Sequence, residues 1–193
     1  MGYLKGLQEY LEANYHLSAF DRALESKQMW EFHLHPRRIV QARVDENQVY
    51  DLVLAGENLE HTPIPKTDVK FLYPAEQSEA IRPLLKTDKK VRDLQLEPII
   101  PTRKRHHIKN KTLFPLLKER TVLFFTLLEG ELIKGILGGF SRYEITVNLK
   151  GGIPVYLLRH SIYDLRDKKG RCFLKSFQES RRDWEKSELF IAS

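Results

Sequence analysis

The residues with the most chemistry in this 193-residue chain are seven histidines, one cysteine and a dense run of cations: Arg103, Lys104, Arg105, His106, His107, Lys109, Asn110 and Lys111. Such a run, set just ahead of an apolar segment, is either a solvated connector or a strip that touches phosphates. His33 and His35 alternate on one strand face and His106 adjoins His107. Neither pair has a cysteine or carboxylate at a recognised ligand spacing, so no metal site and no cofactor are expected. The single cysteine, Cys172, rules out an intrachain disulfide and reads as a small hydrophobe. The chain carries no nucleophile elbow, Walker loop, dinucleotide fingerprint or paired-carboxylate motif, so no catalytic residue and no enzyme activity are expected.

These residues sit in a chain of 41% hydrophobic and 30% charged residues, a balance that supports compact cores. The net charge of +6 favours polyanionic partners. No apolar run reaches the roughly 18 residues that a membrane span needs. The start, Met1-Gly2-Tyr3-Leu4-Lys5, lacks a signal-peptide layout, so a cytoplasmic location without membrane association is expected.

The positioning elements come in two copies. Residues 24–72 align with residues 117–165 at one offset of 93 residues with no gap: Leu24 meets Leu117, Phe32 meets Phe125, Leu34 meets Leu127, Tyr50 meets Tyr143 and Leu72 meets Leu165. Conservative pairs fill the intervals, among them Lys27 with Arg120, Val44 with Leu137, Lys66 with Arg159 and Val69 with Ile162. Duplication explains this pattern better than chance likeness between two β-rich segments.

Each copy opens on a helix signal, Ser18 with Asp21 in the first and Thr112 with Pro115 in the second. In the second copy strands are predicted over 121–128, 131–137, 143–149, 155–158 and 161–165, with Gly138 and Gly139 as a turn. Tyr143, Ile145, Val147 and Leu149 alternate with polar residues, the period of a sheet with one buried face. Gly135, inside a strand, marks a bend or a close backbone approach. The first copy predicts strands near 30–34, 38–44 and 49–55 and two short ones over 63–72, where Pro63 and Pro65 imply an edge or a distorted strand. Leu4, Leu7, Tyr10 and Leu11 make an extra amphipathic helix at the start, and Phe173, Leu174, Phe177 and Trp184 a docking helix at the end. The expected segments are an N-terminal helix over 1–17, a first unit over 18–75, a partly helical basic linker over 76–111, a second unit over 112–168 and a helical tail over 169–193.

A helix, then glycine-punctuated strands, then a short strand pair broken by an aliphatic-basic-histidine turn resembles the Hfq branch of the Sm-like (LSm) RNA-binding family. The residues that carry the likeness are Leu117, Lys118, Glu119, Arg120, Gly130, Gly135, Phe140, Tyr143 and the run Leu158-Arg159-His160-Ser161-Ile162. It covers residues 112–167, and reaches 19–73 only through the internal repeat. The resemblance implies a mostly β (α+β) protein of two tandem Sm-like units. Each would be an N-terminal helix plus a strongly bent five-stranded antiparallel sheet, an SH3-like small barrel, with extra helices at both termini.

What the resemblance implies further is self-association. In the family the fourth strand of one unit pairs with the fifth of the next to make a ring, and open sheet edges need such a partner on physical grounds. With two units per chain the expectation is a homotrimer with six pseudo-equivalent positions. The partner implied is single-stranded RNA, held by Tyr143 through stacking and by Arg159 and His160, with Lys66 at the equivalent first-copy turn and Lys118, Arg120 and Lys27 as a basic rim. Departures from the family pattern are Arg159 in place of lysine, Leu158 in place of an aromatic, Ser141 and Arg142 in place of an acidic-amide pair, and Thr67-Asp68 in place of the first-copy histidine. The bland alternative has Tyr143 in the core and His160 satisfying a tight turn. The functional expectation is an RNA chaperone or regulator; the alternative is a non-catalytic Sm-fold scaffold for protein partners with RNA binding lost or weakened.

Overall fold

A computed structural model describes residues 2–56 and 59–192. Met1, Glu57, Asn58 and Ser193, which fall inside the predicted segments, lie outside the described residues. The elements in chain order are β1 (Tyr3–Leu4), α1 (Leu7–Asn14), α2 (Ala19–Ser26), β2 (Trp30–Leu34), β3 (Arg38–Asn47), β4 (Asp51–Gly56), β5 (Leu59–Pro65), β6 (Val69–Pro74), α3 (Ser78–Ile81), β7 (Lys86–Thr87), α4 (Lys89–Arg92), α5 (Asn110–Lys118), β8 (Val122–Leu127), β9 (Glu131–Phe140), β10 (Glu144–Asn148), β11 (Pro154–Leu158), β12 (Ile162–Asp167), α6 (Lys175–Arg181) and β13 (Phe190–Ile191). The fold is mixed α and β around one large antiparallel sheet.

Strand order along that sheet is β12-β8-β9-β10-β11-β6-β2-β3-β4-β5, with β7 pairing the start of β9. The sheet is not closed and runs open from β12 to β5. The repeat is visible in the boundaries. β3 and β9 begin and end 93 residues apart, as do β6 and β12, and as do the 3-10 turns Lys66–Asp68 and Arg159–Ser161. The order β6-β2-β3-β4-β5 equals β12-β8-β9-β10-β11 at that spacing, and β11 joins the two halves by pairing with β6, Tyr156 opposite Leu72 and Leu157 opposite Phe71.

Two apolar cores follow. One gathers Phe114, Leu123, Phe125, Ile133, Ile145, Val147 and Leu157 with Cys172, Phe173 and Leu174 from the tail. The other gathers Phe20, Trp30, Phe32, Leu52 and Leu54, and takes Tyr156 and Leu158 from β11 across the seam. Gly135 is needed where β9 passes β10, because a Cβ there would stand 2.4 Å from the Asn148 carbonyl oxygen and 2.6 Å from Val147 Cγ1. The connector is anchored by polar contacts. Fully buried Glu31 accepts hydrogen bonds from Tyr73, Ser78, Gln41 and Arg82, and these outweigh burial to hold its carboxyl at about 2.

Four local expectations need correction. Helix α5 starts at Asn110, so Thr112 is a buried residue inside it instead of its cap, and Pro115 lies beyond the first turn. Gly138 and Gly139 belong to β9, which runs on to Phe140, instead of forming a turn. Tyr143 precedes β10 and is 61% exposed, because the Ser141 N–H bonds the Glu144 carbonyl oxygen and the resulting turn breaks the alternation; Glu144 is buried in its stead. The expectation of two open outer edges fails at β12, where the chain folds back so that the Phe173 N–H bonds the Leu165 carbonyl oxygen at 2.9 Å.

Candidate nucleic-acid interface

The turn Arg159–Ser161 between β11 and β12 ends at the seam between the two halves. Arg159 N–H donates to the Tyr143 carbonyl oxygen at 2.8 Å, which fixes the turn beside the loop that precedes β10. His160 Nε2 lies 2.9 Å from the Val69 carbonyl oxygen and Ser161 Oγ donates to the Lys70 carbonyl oxygen at 2.9 Å, so the turn is stitched to β6 of the other half. Burial pushes the His160 imidazole down to about 4, and it is neutral near pH 7.

Arg159 is committed to the protein as well. Its Nη2 donates to Asn110 Oδ1 at 3.0 Å, its Nη1 reaches the Ile108 carbonyl oxygen at 3.4 Å, and its guanidinium lies 5.6 Å from the Phe140 ring centroid. Burial lowers it to about 10, which still leaves it cationic at neutral pH. Arg159 and His160 therefore shape the site more than they grip a ligand.

The exposed groups come from around them. A groove of about 280 Å³ is lined by Tyr15, Arg105, His106, His107, Ile108, Arg142, Tyr143, Arg159 and His160. Tyr143 projects at its edge with the Arg142 guanidinium 5.2 Å from its ring centroid, and Arg142 is itself exposed. Arg105, His106 and His107 of the basic run line the groove and are held in place: Arg105 donates to the carbonyl oxygens of Ile99 and Ile100, His106 lies against the Tyr163 ring at 5.2 Å, and the Lys175 N–H bonds the His107 carbonyl oxygen at 2.7 Å. A second hollow continues past Arg103 and Lys104 to Lys175 and Ser176. The middle of the run that reads as a linker in the sequence, Arg105 to His107, thus lines the same groove as Tyr143, while Arg103 and Lys104 line the adjoining hollow.

In the first half the geometry recurs with fewer cations. Lys66 N–H donates to the Tyr50 carbonyl oxygen at 2.9 Å, matching Arg159 on Tyr143, and Tyr50 is 81% exposed. The Lys66 ammonium is drawn onto the carbonyl oxygens of Gln48 and Val49 and lies 5.8 Å from the Phe20 ring centroid. Tyr50 is absent from the site residues expected from the sequence, although its identity with Tyr143 in the repeat is the signal that could have found it.

Lys118, Arg120 and Lys27 are exposed at the ends of α5 and α2 and are absent from the lining of the groove. Lys27 and Arg120 hold matching left-handed conformations, φ 54° and 52°, where each helix stops. Lys118 lies over the Phe114 ring at 5.3 Å. His33, stacked on Phe71 with centroids 3.9 Å apart, and His35 are buried and are absent from the lining of the groove. No protein-family model, no curated protein and no solved structure matches this chain.

Proposed function

We propose that the chain is a tandem Sm-like protein of the Hfq type that binds single-stranded RNA along the groove between Tyr143 and the basic wall. The observation that carries this reading is the juxtaposition in one groove of an exposed tyrosine, flanked by Arg142, with Arg105, His106 and His107, continued by Arg103 and Lys104 in the adjoining hollow. Aromatic faces take any base, cations take the phosphates between bases, and a flexible single strand is the polyanion that can present both to one narrow groove. The tandem reading is supported by the equal spacing of strands and turns in the two halves and by their common strand order. No catalytic role is part of the proposal.

The test is binding of short uridine-rich and adenosine-rich oligoribonucleotides over a range of salt. Affinity should fall steeply as salt rises, and the double change Arg103→Ala with Lys104→Ala should flatten that dependence by roughly one unit of log-log slope for each phosphate left without its cation. Arg142→Ala and Tyr143→Ala should weaken binding, the latter by about 1–3 kcal/mol. Binding indistinguishable from background at low salt contradicts the proposal.

One observation favours the second reading, a scaffold for protein partners: Arg159 and His160, the residues nearest the family pattern, are occupied by Asn110, Ile108 and Val69. A partner retained from a nuclease-treated lysate, with no oligonucleotide binding, is the outcome that selects it.

A further inference from the structure

The borders of the sheet say how far it can grow. Within the chain, the Arg159 N–H bonds back to Tyr143, so the backbone groups of Leu158 and Tyr156 face the other way, toward β6. In β5 the Lys66 N–H bonds back to Tyr50 in the same manner, so the outward positions there belong to Pro65 and Pro63. Where β11 offers donors to β6, β5 offers a border with two N–H groups missing. Prolines on an outer strand with their nitrogens facing outward are a known means of stopping further strand addition.

The opposite border is closed differently. After β12 the chain reverses, Arg166 and Cys172 pair as an antiparallel bridge, the Phe173 N–H donates to the Leu165 carbonyl oxygen, and the Asp167 N–H donates to the Arg171 carbonyl oxygen at 3.2 Å. Leu165 is the repeat counterpart of Leu72, the residue that faces Tyr156 of β11 across the seam. One backbone position is thus covered by a neighbouring unit in the first half and by the chain's own tail in the second. The tail is well anchored: Cys172, Phe173 and Leu174 are buried, and Gln178, with no exposed surface, donates to the Cys172 carbonyl oxygen at 3.0 Å.

We propose that residues 171–173 are an edge plug standing in for a neighbouring unit, and that together with the Pro63 and Pro65 border they hold the molecule as a two-unit arc and prevent copies from adding head to tail. The homotrimeric ring implied by the family likeness needs both borders open. This inference rests on the repeat and the hydrogen bonds and is independent of what the groove binds.

Native mass measurement across a wide range of protein concentration tests it. The full chain should show the mass of one copy, 22.7 kDa. A variant with both borders opened, Pro63→Val and Pro65→Val with residues 171–193 removed, should form higher multiples. The same proline changes in a full chain stapled by Arg166→Cys to Cys172, residues that face each other in the bridge, open one border only and should keep the mass of one copy when oxidised. Because the shortened variant loses buried residues, hydrogen exchange on the full chain gives a second reading: the Phe173 amide should be protected. A full chain of three-copy mass, a folded opened variant that stays single, or an unprotected Phe173 amide would each overturn the proposal.

Discussion

Lys70 on β6 places its ammonium against the carboxylate of Glu129, which lies in the turn between β8 and β9, so the two halves of the chain are joined by a charge pair at their seam as well as by strand pairing. The lysine is 1% exposed and also reaches Glu131, while His35 stands 3.6 Å from Glu129 on the other side. A cation so enclosed is tolerable only with its partners in place.

Lys70→Met leaves two carboxylates facing each other without their cation. The expected cost is about 3 kcal/mol or more of unfolding free energy, measured by chemical denaturation. Combined with Glu129→Gln, the loss should be clearly smaller than the sum of the two single changes, because the double variant removes the uncompensated charge along with its partner.

Gly135→Ala tests the crossing of β9 over β10. The added methyl meets backbone at Asn148 and a packed side chain at Val147, neither of which can swing aside, so destabilisation of about 1–3 kcal/mol is expected. Gly152→Ala is a poor control because its φ is +80°. Gly139→Ala is better, since its nearest neighbour is the Tyr10 hydroxyl at 3.3 Å.

Glu144 is buried beneath the start of α2, where its Oε2 accepts the Ala19 N–H at 2.7 Å. Burial raises its carboxyl to about 7, against the helix hydrogen bond and the charge of Arg22, which lower it. Between the ordinary value of 4.5 and about 7 the folded chain holds this proton more tightly than the unfolded chain. Its contribution is therefore fully present below 4.5 and is lost as pH rises through 7, on the order of 3 kcal/mol in all. Glu144→Gln keeps an acceptor for Ala19 and should remove that slope. Denaturation midpoints across this pH range check it, and an unchanged difference between the two proteins at both ends would sink the assignment.

These same residues show where sequence reading succeeds and where it stops. The paired strands are legible because aromatic and aliphatic residues recur at a fixed spacing, Phe32 with Phe125 and Leu34 with Leu127, and local alternation needs no distant partner. Tyr143 is misplaced by the sequence because alternation carried back from Ile145 takes no account of the turn closed by Ser141 and Glu144. That turn lets Glu144 face inward, and its partner Ala19 lies 125 residues away. The basic run is legible as charge only. Its place beside the groove depends on Lys175 bonding His107, a pairing 68 residues apart that no window of local sequence contains. The tail around Phe173 reads as a docking helix, but its use of the Leu165 carbonyl oxygen follows from a reversal after Asp167 that leaves no periodic signal.

The most direct test of the central claim is photocrosslinking of a short oligoribonucleotide carrying a photoreactive uridine to the intact chain, with the attached peptides identified by mass spectrometry. The RNA should attach to peptides containing Tyr143 and the Arg103 to His107 segment, with weaker attachment near Tyr50. Attachment confined to surfaces away from the groove, or undiminished by Tyr143→Ala together with Arg103→Ala, would contradict the account.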